Sequence, residues 1–363
     1  MVDDVDAHEG VDDVPAQEGV AEAFTDLAGW AADSSPLYER ISRIVADDPD
    51  LLELAAAVPE DRSTANVFLA AVQCLLLRGT DHPLADYYPS VTETPREPDD
   101  ALSDRLRDFC ETYEDDLRPL LTTRRTQTNS VRRTAALYPA ISHVARQVDG
   151  PLALVELGPS AGLNLLFDRY RYEFGDRTAG PADAPATVRT TVRGDEDPPL
   201  PDDPPAVHSR VGIDLNPMDV TDRDDADWLR ALVWPEHDER RRTLEGAIET
   251  AQRDPPNLVT GDLLEDLPAV LADVPDDVPV CLFDTLVLYQ VPEAVREQLD
   301  ETVREFAARR PLHWLAGETV FGDQDGIRLE WTRAEDGTVR TDLLAAFEQH
   351  GDWVEWRPDD DAA

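Results

Sequence analysis

The chain has 363 residues, 41% of them hydrophobic, enough to bury one large core or two ordinary ones, and no apolar run reaches the roughly 18 residues of a membrane span. Its 77 acidic against 33 basic residues leave a formal net charge of −44, which disfavours nucleic-acid binding through a broad basic face. Three separated cysteines (Cys74, Cys110, Cys281) and seven scattered histidines suit a reducing compartment and show no metal-ligand spacing, so no catalytic metal is expected.

Residues 1–19 are acidic and lack the basic and apolar regions of a signal peptide. They are expected to be disordered, and the location cytoplasmic. From about residue 20 to 148 the spacing of apolar residues is helical, over 21–32, 36–46, 51–58 and 102–121. The clearest helix is "STANVFLAAVQCLLLRG", with Ser63 or Thr64 to cap its start and Gly79 just past its end. No strand is expected in this part, which reads as an all-helical cap domain.

From Leu152 the pattern changes. Short β-rich runs ("LALVEL", "RVGIDL", "NLVTGD", "PVCLFDTLVLY", "PLHWLAGE") alternate with helical stretches such as "LLEDLPAVLADV" and "PEAVREQLDETVREFAARR". "AGLNLLFDRY" is expected to be the first of those helices. The alternation implies an α/β domain over 149–363, a Rossmann-like, mostly parallel sheet with helices on both faces. A Pro- and Asp-rich insertion at about 175–209 is expected to hold one extra strand near 188–192, and "IRLEWTRA" and "GDWVEWRP" to add strands at the edge.

"LVELGPSAGLNLLFDRY" carries Gly158-Pro159-Ser160-Ala161-Gly162, which spells a hydrolase nucleophile elbow. A triad in chain order would take Asp284 and His350. The elbow strand, however, is the first of its sheet, and no glycine-rich oxyanion loop precedes it. The alternative is a cofactor loop: small residues admit a ligand close to the backbone, and a following helix N-terminus offers free N–H groups. Glu156, Gly158, Ser160 and Gly162 are then its residues.

That loop resembles the E-x-G-x-G-x-G loop of class I S-adenosylmethionine-dependent methyltransferases, with Ser160 replacing the middle glycine. The resemblance implies that Asp214, ending "VGIDLNP", accepts both ribose hydroxyls and that Asp262 of "VTGDLLEDL" reads the adenine. Asp214 follows Glu156 by 214 − 156 = 58 residues rather than the usual 20 or so, an excess the insertion explains. Tyr289 and Gln290 fall after the fourth strand, by the transferred methyl. With Asp284 they are the candidate catalytic residues, and His143, Asp284 and Tyr289 the candidate bases. At finer grain "RRTQTNSVRR", "ELGPSAGLNLLFDRYRY", "RVGIDLNPMDV", "WLRALVWPE" and "HGDWVEW" are similar to a bacterial and haloarchaeal family of unknown function. This similarity implies a lid role for Gln127 and Asn129.

Each residue also has a plain structural reading. The glycines can simply make a tight turn, Asp214 a turn and Asp262 a helix cap. Asp168, Arg169 and Tyr170 can be an ion pair and a packing ring, and Trp228 and Trp234 core. Arg124, Arg125, Arg132 and Arg133 either pair with acidic neighbours or receive an anionic substrate. The functional expectation is a methyltransferase acting on a small molecule with S-adenosylmethionine as cofactor, with no nucleic-acid or membrane partner. A noncatalytic cofactor-binding protein and a Ser160 hydrolase are the alternatives.

All 33 basic residues are arginine, and the acids are spread along the whole chain. An even excess fits solvent adaptation to a very salty cytoplasm, where the Debye length falls to about 3 Å at 1 M and self-repulsion is screened. Thermal unfolding in molar and in millimolar KCl tests this. The melting temperature should collapse in low salt, and equal stability in both would refute salt adaptation.

Overall fold

A computed structural model describes residues 16–318, 326–335 and 338–357. The acidic opening to residue 15 lies outside them. Contacts divide the chain into two compact units, one of the residues up to Thr126 with Ala231–Asp238, the other of Gln127–Arg230 with the residues from Glu239 on.

The first unit is helical in its described residues: α1 (Ala16–Ala31), α2 (Pro36–Ala46), α3 (Pro49–Ala55), α4 (Thr64–Leu77), α5 (Ala101–Thr112) and α6 (Glu114–Thr123). Its starts are chemically marked. The Ser35 hydroxyl accepts from the Tyr38 N–H to cap α2, and Asp48 accepts from the Asp50 and Leu51 N–H groups to cap α3, with Pro36 and Pro49 in the first turns. Helix α4 is buried nearly all round, as its apolar sequence requires. The segment 231–238 belongs to this unit for a specific reason. The Gln73 side-chain amide donates to the Ala231 and Val233 carbonyls at 2.9 and 2.7 Å, while Glu236 accepts from the Ser35 hydroxyl at 2.6 Å and the Leu37 N–H at 3.0 Å. Trp234 packs edge-on against Trp30 with ring centres 5.2 Å apart.

The second unit runs α7 (Thr134–Ala145), β1 (Leu152–Leu157), β2 (Arg171–Phe174), β3 (Arg177–Ala179), β4 (Thr187–Arg193), β5 (Val207–Asp214), α8 (Arg223–Ala231), α9 (Asp238–Arg253), β6 (Asn257–Thr260), α10 (Leu263–Asp273), β7 (Val280–Thr285), α11 (Glu293–Ala307), β8 (Leu312–Glu318), β9 (Ile327–Glu335), β10 (Thr338–Phe347) and β11 (Trp353–Trp356). The strands form one mixed sheet in the order β3-β2-β4-β11-β10-β9-β8-β7-β1-β5-β6. The block β6-β5-β1-β7-β8 is wholly parallel. Strands β1 and β7 are buried at every residue, which is why they read as unbroken apolar runs.

Helices cover both faces. Ala153, Val155, Leu157, Val280, Leu282, Leu312 and Trp314 form a core with α10 and α11 through Leu267, Leu271, Leu299, Val303 and Phe306. The alternate residues face α7, whose His143 ring meets Trp331 edge-on at 5.0 Å beside His313. No helix among the described residues is long and apolar enough to cross a membrane.

Two local expectations change, and one further strand is present. The insertion supplies β2's partners β3 and β4, so these strands, not β9 and β11, form the far edge. "TDLLAAF" is the strand β10, paired on both sides. Its unbroken apolar run is that of an interior strand, which periodicity does not distinguish from a helix. Residues Leu163–Arg169 form a 3₁₀ segment with a non-helical break at Leu166 instead of an α-helix. Side chains take the carbonyls an α-helix would use: the Tyr170 hydroxyl donates to Leu163 O and the Arg210 Nε–H to Leu165 O.

Candidate functional site

The chain leaves β1 for β5 and β6 on one side and returns to β7 and β8 on the other. The strand order therefore reverses between β1 and β7, and in open α/β sheets the crevice at the carboxyl ends of such a pair is the favoured ligand position. The two positive-φ non-glycine residues among those described stand there: Ser160 (φ 56°) after β1 and Leu286 (φ 57°) after β7. Left-handed backbone at such residues costs of order 1–2 kcal/mol. Both are pinned. The Ser160 N–H donates to Asp214 Oδ2 at 2.9 Å and its carbonyl accepts from Met218 N–H at 3.1 Å, while Leu286 N–H donates to Gly317 O at 2.9 Å.

Gly158 (φ 62°) and Gly162 (φ 69°) need glycine on two counts, backbone and crowding. A Cβ on Gly158 would lie 2.7 Å from Val287 Cγ1, and one on Gly162 2.8 Å from Pro256 Cγ. Protein side chains thus occupy the space that glycine leaves open.

The predicted loop residues are brought together in one network. The Gln127 side-chain amide donates to Asn216 O at 2.9 Å and reaches Asp214 Oδ1 at 3.5 Å, the Ser160 hydroxyl donates to Gln127 O at 3.0 Å, and Asn129 Oδ1 accepts from Leu163 N–H at 2.9 Å. Residues 127–129 therefore lie across the turn after β1. Asp214, at the end of β5, also accepts from Asn216 N–H at 2.8 Å. Asp262 is exposed and caps α10, accepting from Leu264 N–H at 2.8 Å.

Beneath this network lie buried acids. Glu156, 2% exposed, has its carboxyl pushed up to about 8, chiefly by burial and further by Asp214, against an opposing hydrogen bond from Asn164. The Asn164 amide donates to Glu156 Oε1 at 3.3 Å, yet Glu156 Oε2 and Asn164 Oδ1 are buried without a partner. Across the switch point, Asp284 is fully buried and accepts from the Trp314 indole N–H at 2.6 Å. Burial raises its pKa well above the usual carboxylate range, and the hydrogen-bonded Glu318 raises it further. Glu318 ends β8 and accepts from the N–H groups of Val287, Leu288 and Tyr289 at 2.7, 2.9 and 3.1 Å. Tyr289 is 43% exposed, and the Gln290 amide donates back to Leu286 O at 3.0 Å.

The remaining predicted residues divide clearly. Arg132 pairs with Asp352 at 2.6 Å and Arg125 with Asp61 at 2.8 Å. Arg133 donates to Gln349 O and Thr285 O at 2.8 and 3.1 Å, at the end of β7. Asp168 pairs with Arg210 at 2.6 Å, Arg169 with Asp254 at 3.0 Å, and Tyr170 is buried. His143 lies against Trp331 and Trp356 under the sheet, its pKa lowered by burial and by Arg146 and Arg333. Trp228 is core. Sequence reasoning missed Asn164 and Glu318. The signal for Glu318 was available, since it is an acid closing an apolar strand just as Asp214 does.

Fold and site together define an α/β protein with a largely parallel sheet and a buried acidic cluster at its strand-order reversal. The family model described as an uncharacterized protein conserved in bacteria (DUF2332) matches residues 21–356, and the chain belongs to that family. No curated protein matches it.

Proposed function

We propose that the chain is an S-adenosylmethionine-dependent methyltransferase acting on a small molecule at the β1/β7 switch point. The observation that carries this reading is the pair of partnerless buried oxygens, Glu156 Oε2 and Asn164 Oδ1, at the carboxyl end of the first strand of a parallel block. Such buried polar groups are rarely left unpaired without a use, and a ligand offering both hydrogen-bond donors and acceptors would satisfy the neutral Glu156 carboxyl and the Asn164 carbonyl oxygen. The cofactor fits in part. Glu156 and Asn164 would face its amino and hydroxyl donors. Asp214 could take the ribose in place of its long, 3.5 Å contact with the Gln127 amide. When bound, S-adenosylmethionine supplies an electrophilic methyl group, and the chain's own contribution would be positioning, with Tyr289 exposed at the rim.

A noncatalytic binding protein is the second reading. It is favoured by the turn itself, where Ser160, Asn129 and the glycines are already engaged by protein atoms. The Ser160 hydroxyl donates to a backbone carbonyl rather than to a histidine, which weighs against a hydrolase. Calorimetry and thermal shift with S-adenosylmethionine and S-adenosylhomocysteine, in high salt, test the proposal. Heat and a raised melting temperature are expected. Silence at millimolar ligand refutes it, and binding without turnover across an acceptor panel favours the second reading.

A further inference from the structure

Arg133 differs from its neighbours. Its hydrogen bonds go to two neutral carbonyls, and it makes no ion pair with a described residue, although the chain holds 77 acids. Arg132, one residue earlier, has both a carbonyl and Asp352. No described residue accepts a hydrogen bond from the third nitrogen of Arg133, Nη2. The side chain is half-buried at the carboxyl end of β7, where Tyr289, Glu318, Glu156 and Glu348 act on it electrostatically. Desolvation draws its pKa down to about 10, so it remains a largely buried cation with no ion-pair partner among the described residues.

We propose that Arg133 receives a ligand carboxylate at the β1/β7 switch point, through the guanidinium edge that the described residues leave without an acceptor. The proposal rests on that crevice being the ligand site. A carboxylate suits it better than a phosphate, because the surrounding acids would repel a dianion more strongly. Two of those acids are partly silenced toward a single negative charge. Glu318 is held by three backbone N–H groups, and burial keeps Glu156 largely protonated near neutrality. The carboxylate belongs either to the amino-acid part of the cofactor or to the acceptor.

Titrations of the full chain in high salt separate these sources. S-adenosylhomocysteine carries a carboxylate and 5′-methylthioadenosine does not. Benzoate and benzamide are the matching pair for an acceptor, added with and without S-adenosylhomocysteine. Arg133→Met should weaken the carboxylate-bearing member of one pair by about tenfold or more and leave its neutral counterpart unchanged. Arg133→Lys, which keeps the charge but not the fork, should fall between. Loss confined to S-adenosylhomocysteine assigns the cofactor, and loss confined to benzoate assigns the acceptor. Equal affinity of wild type and Arg133→Met for every probe overturns the proposal, as does the absence of benzoate and S-adenosylhomocysteine binding to wild type. If neither nucleoside binds but benzoate does so through Arg133, the cofactor reading fails and the carboxylate site stands. Should Arg133→Met not fold, phenylglyoxal labelling of wild-type Arg133 decides. Protection by benzoate or S-adenosylhomocysteine is expected, and unprotected labelling refutes the site.

Discussion

Glu156→Gln should stabilise the ligand-free protein, by about 5 kcal/mol at pH values above 8 and by almost nothing near pH 4.5. The carboxyl moves from an ordinary 4.5 to about 8 on folding, and each unit is worth about 1.4 kcal/mol. Between these values the folded state holds a proton that the unfolded state has released. Stability supplied by the neutral carboxyl is therefore complete below the unfolded pKa and is lost as pH rises through 8. Glutamine is neutral throughout, so the difference between variant and wild type should grow with pH and then level off. Urea denaturation of both proteins at about pH 5, 7 and 9, at one fixed high salt concentration, reads this directly. A gap that does not change with pH, or a variant less stable at pH 9, would show that Glu156 is ionised in the fold.

The same substitution should weaken ligand binding, and that opposition makes Glu156 more than a packing residue. A carboxyl that burdens the empty fold at neutral and alkaline pH is a poor choice for stability alone. Its position was legible in the sequence, as the acid two residues before a glycine turn. Its protonation was not, because burial on every side is a property of the sheet order and not of the local spelling.

Other parts of the site follow the same division. That Gly158 and Gly162 must be glycine was readable. That Val287 and Pro256 fill the space beside them was not, since these residues arrive from loops far along the chain, before β6 and after β7. The parallel block was legible because β1 and β7 are buried on both faces and so spell continuous apolar runs. Strand β10 was not legible, because "LLAAF" suits a buried helix equally well. Among four clustered arginines, local sequence offered no means of separating Arg133 from Arg132, whose partner Asp352 lies about 220 residues away. Glu318 carried the same signal as Asp214, an acid closing an apolar strand, but in a chain with 77 acids that signal is easily passed over.

Glu318→Ala should destabilise the protein by about 3–5 kcal/mol, because it removes three charge-assisted hydrogen bonds from one turn. Water can replace the partner of Tyr289, which is exposed, but not easily that of Leu288, which is buried. Asp284→Asn should behave differently. Asp284 Oδ2 receives no hydrogen bond, and the pKa of this buried carboxyl is raised by burial and by Glu318, which favours its protonated form. An asparagine amide can donate in its place, and a cost below about 1 kcal/mol is expected. The sign of the pH effect follows. Stability contributed by the protonated Asp284 is present at low pH and lost as pH rises through its raised folded value, a loss that Asp284→Asn should abolish. Urea denaturation gives the energies, and hydrogen exchange at the 287–289 amides localises them: exchange there should quicken in Glu318→Ala and stay slow in Asp284→Asn. If the two variants were equally unstable, Asp284 would not be protonated in the fold.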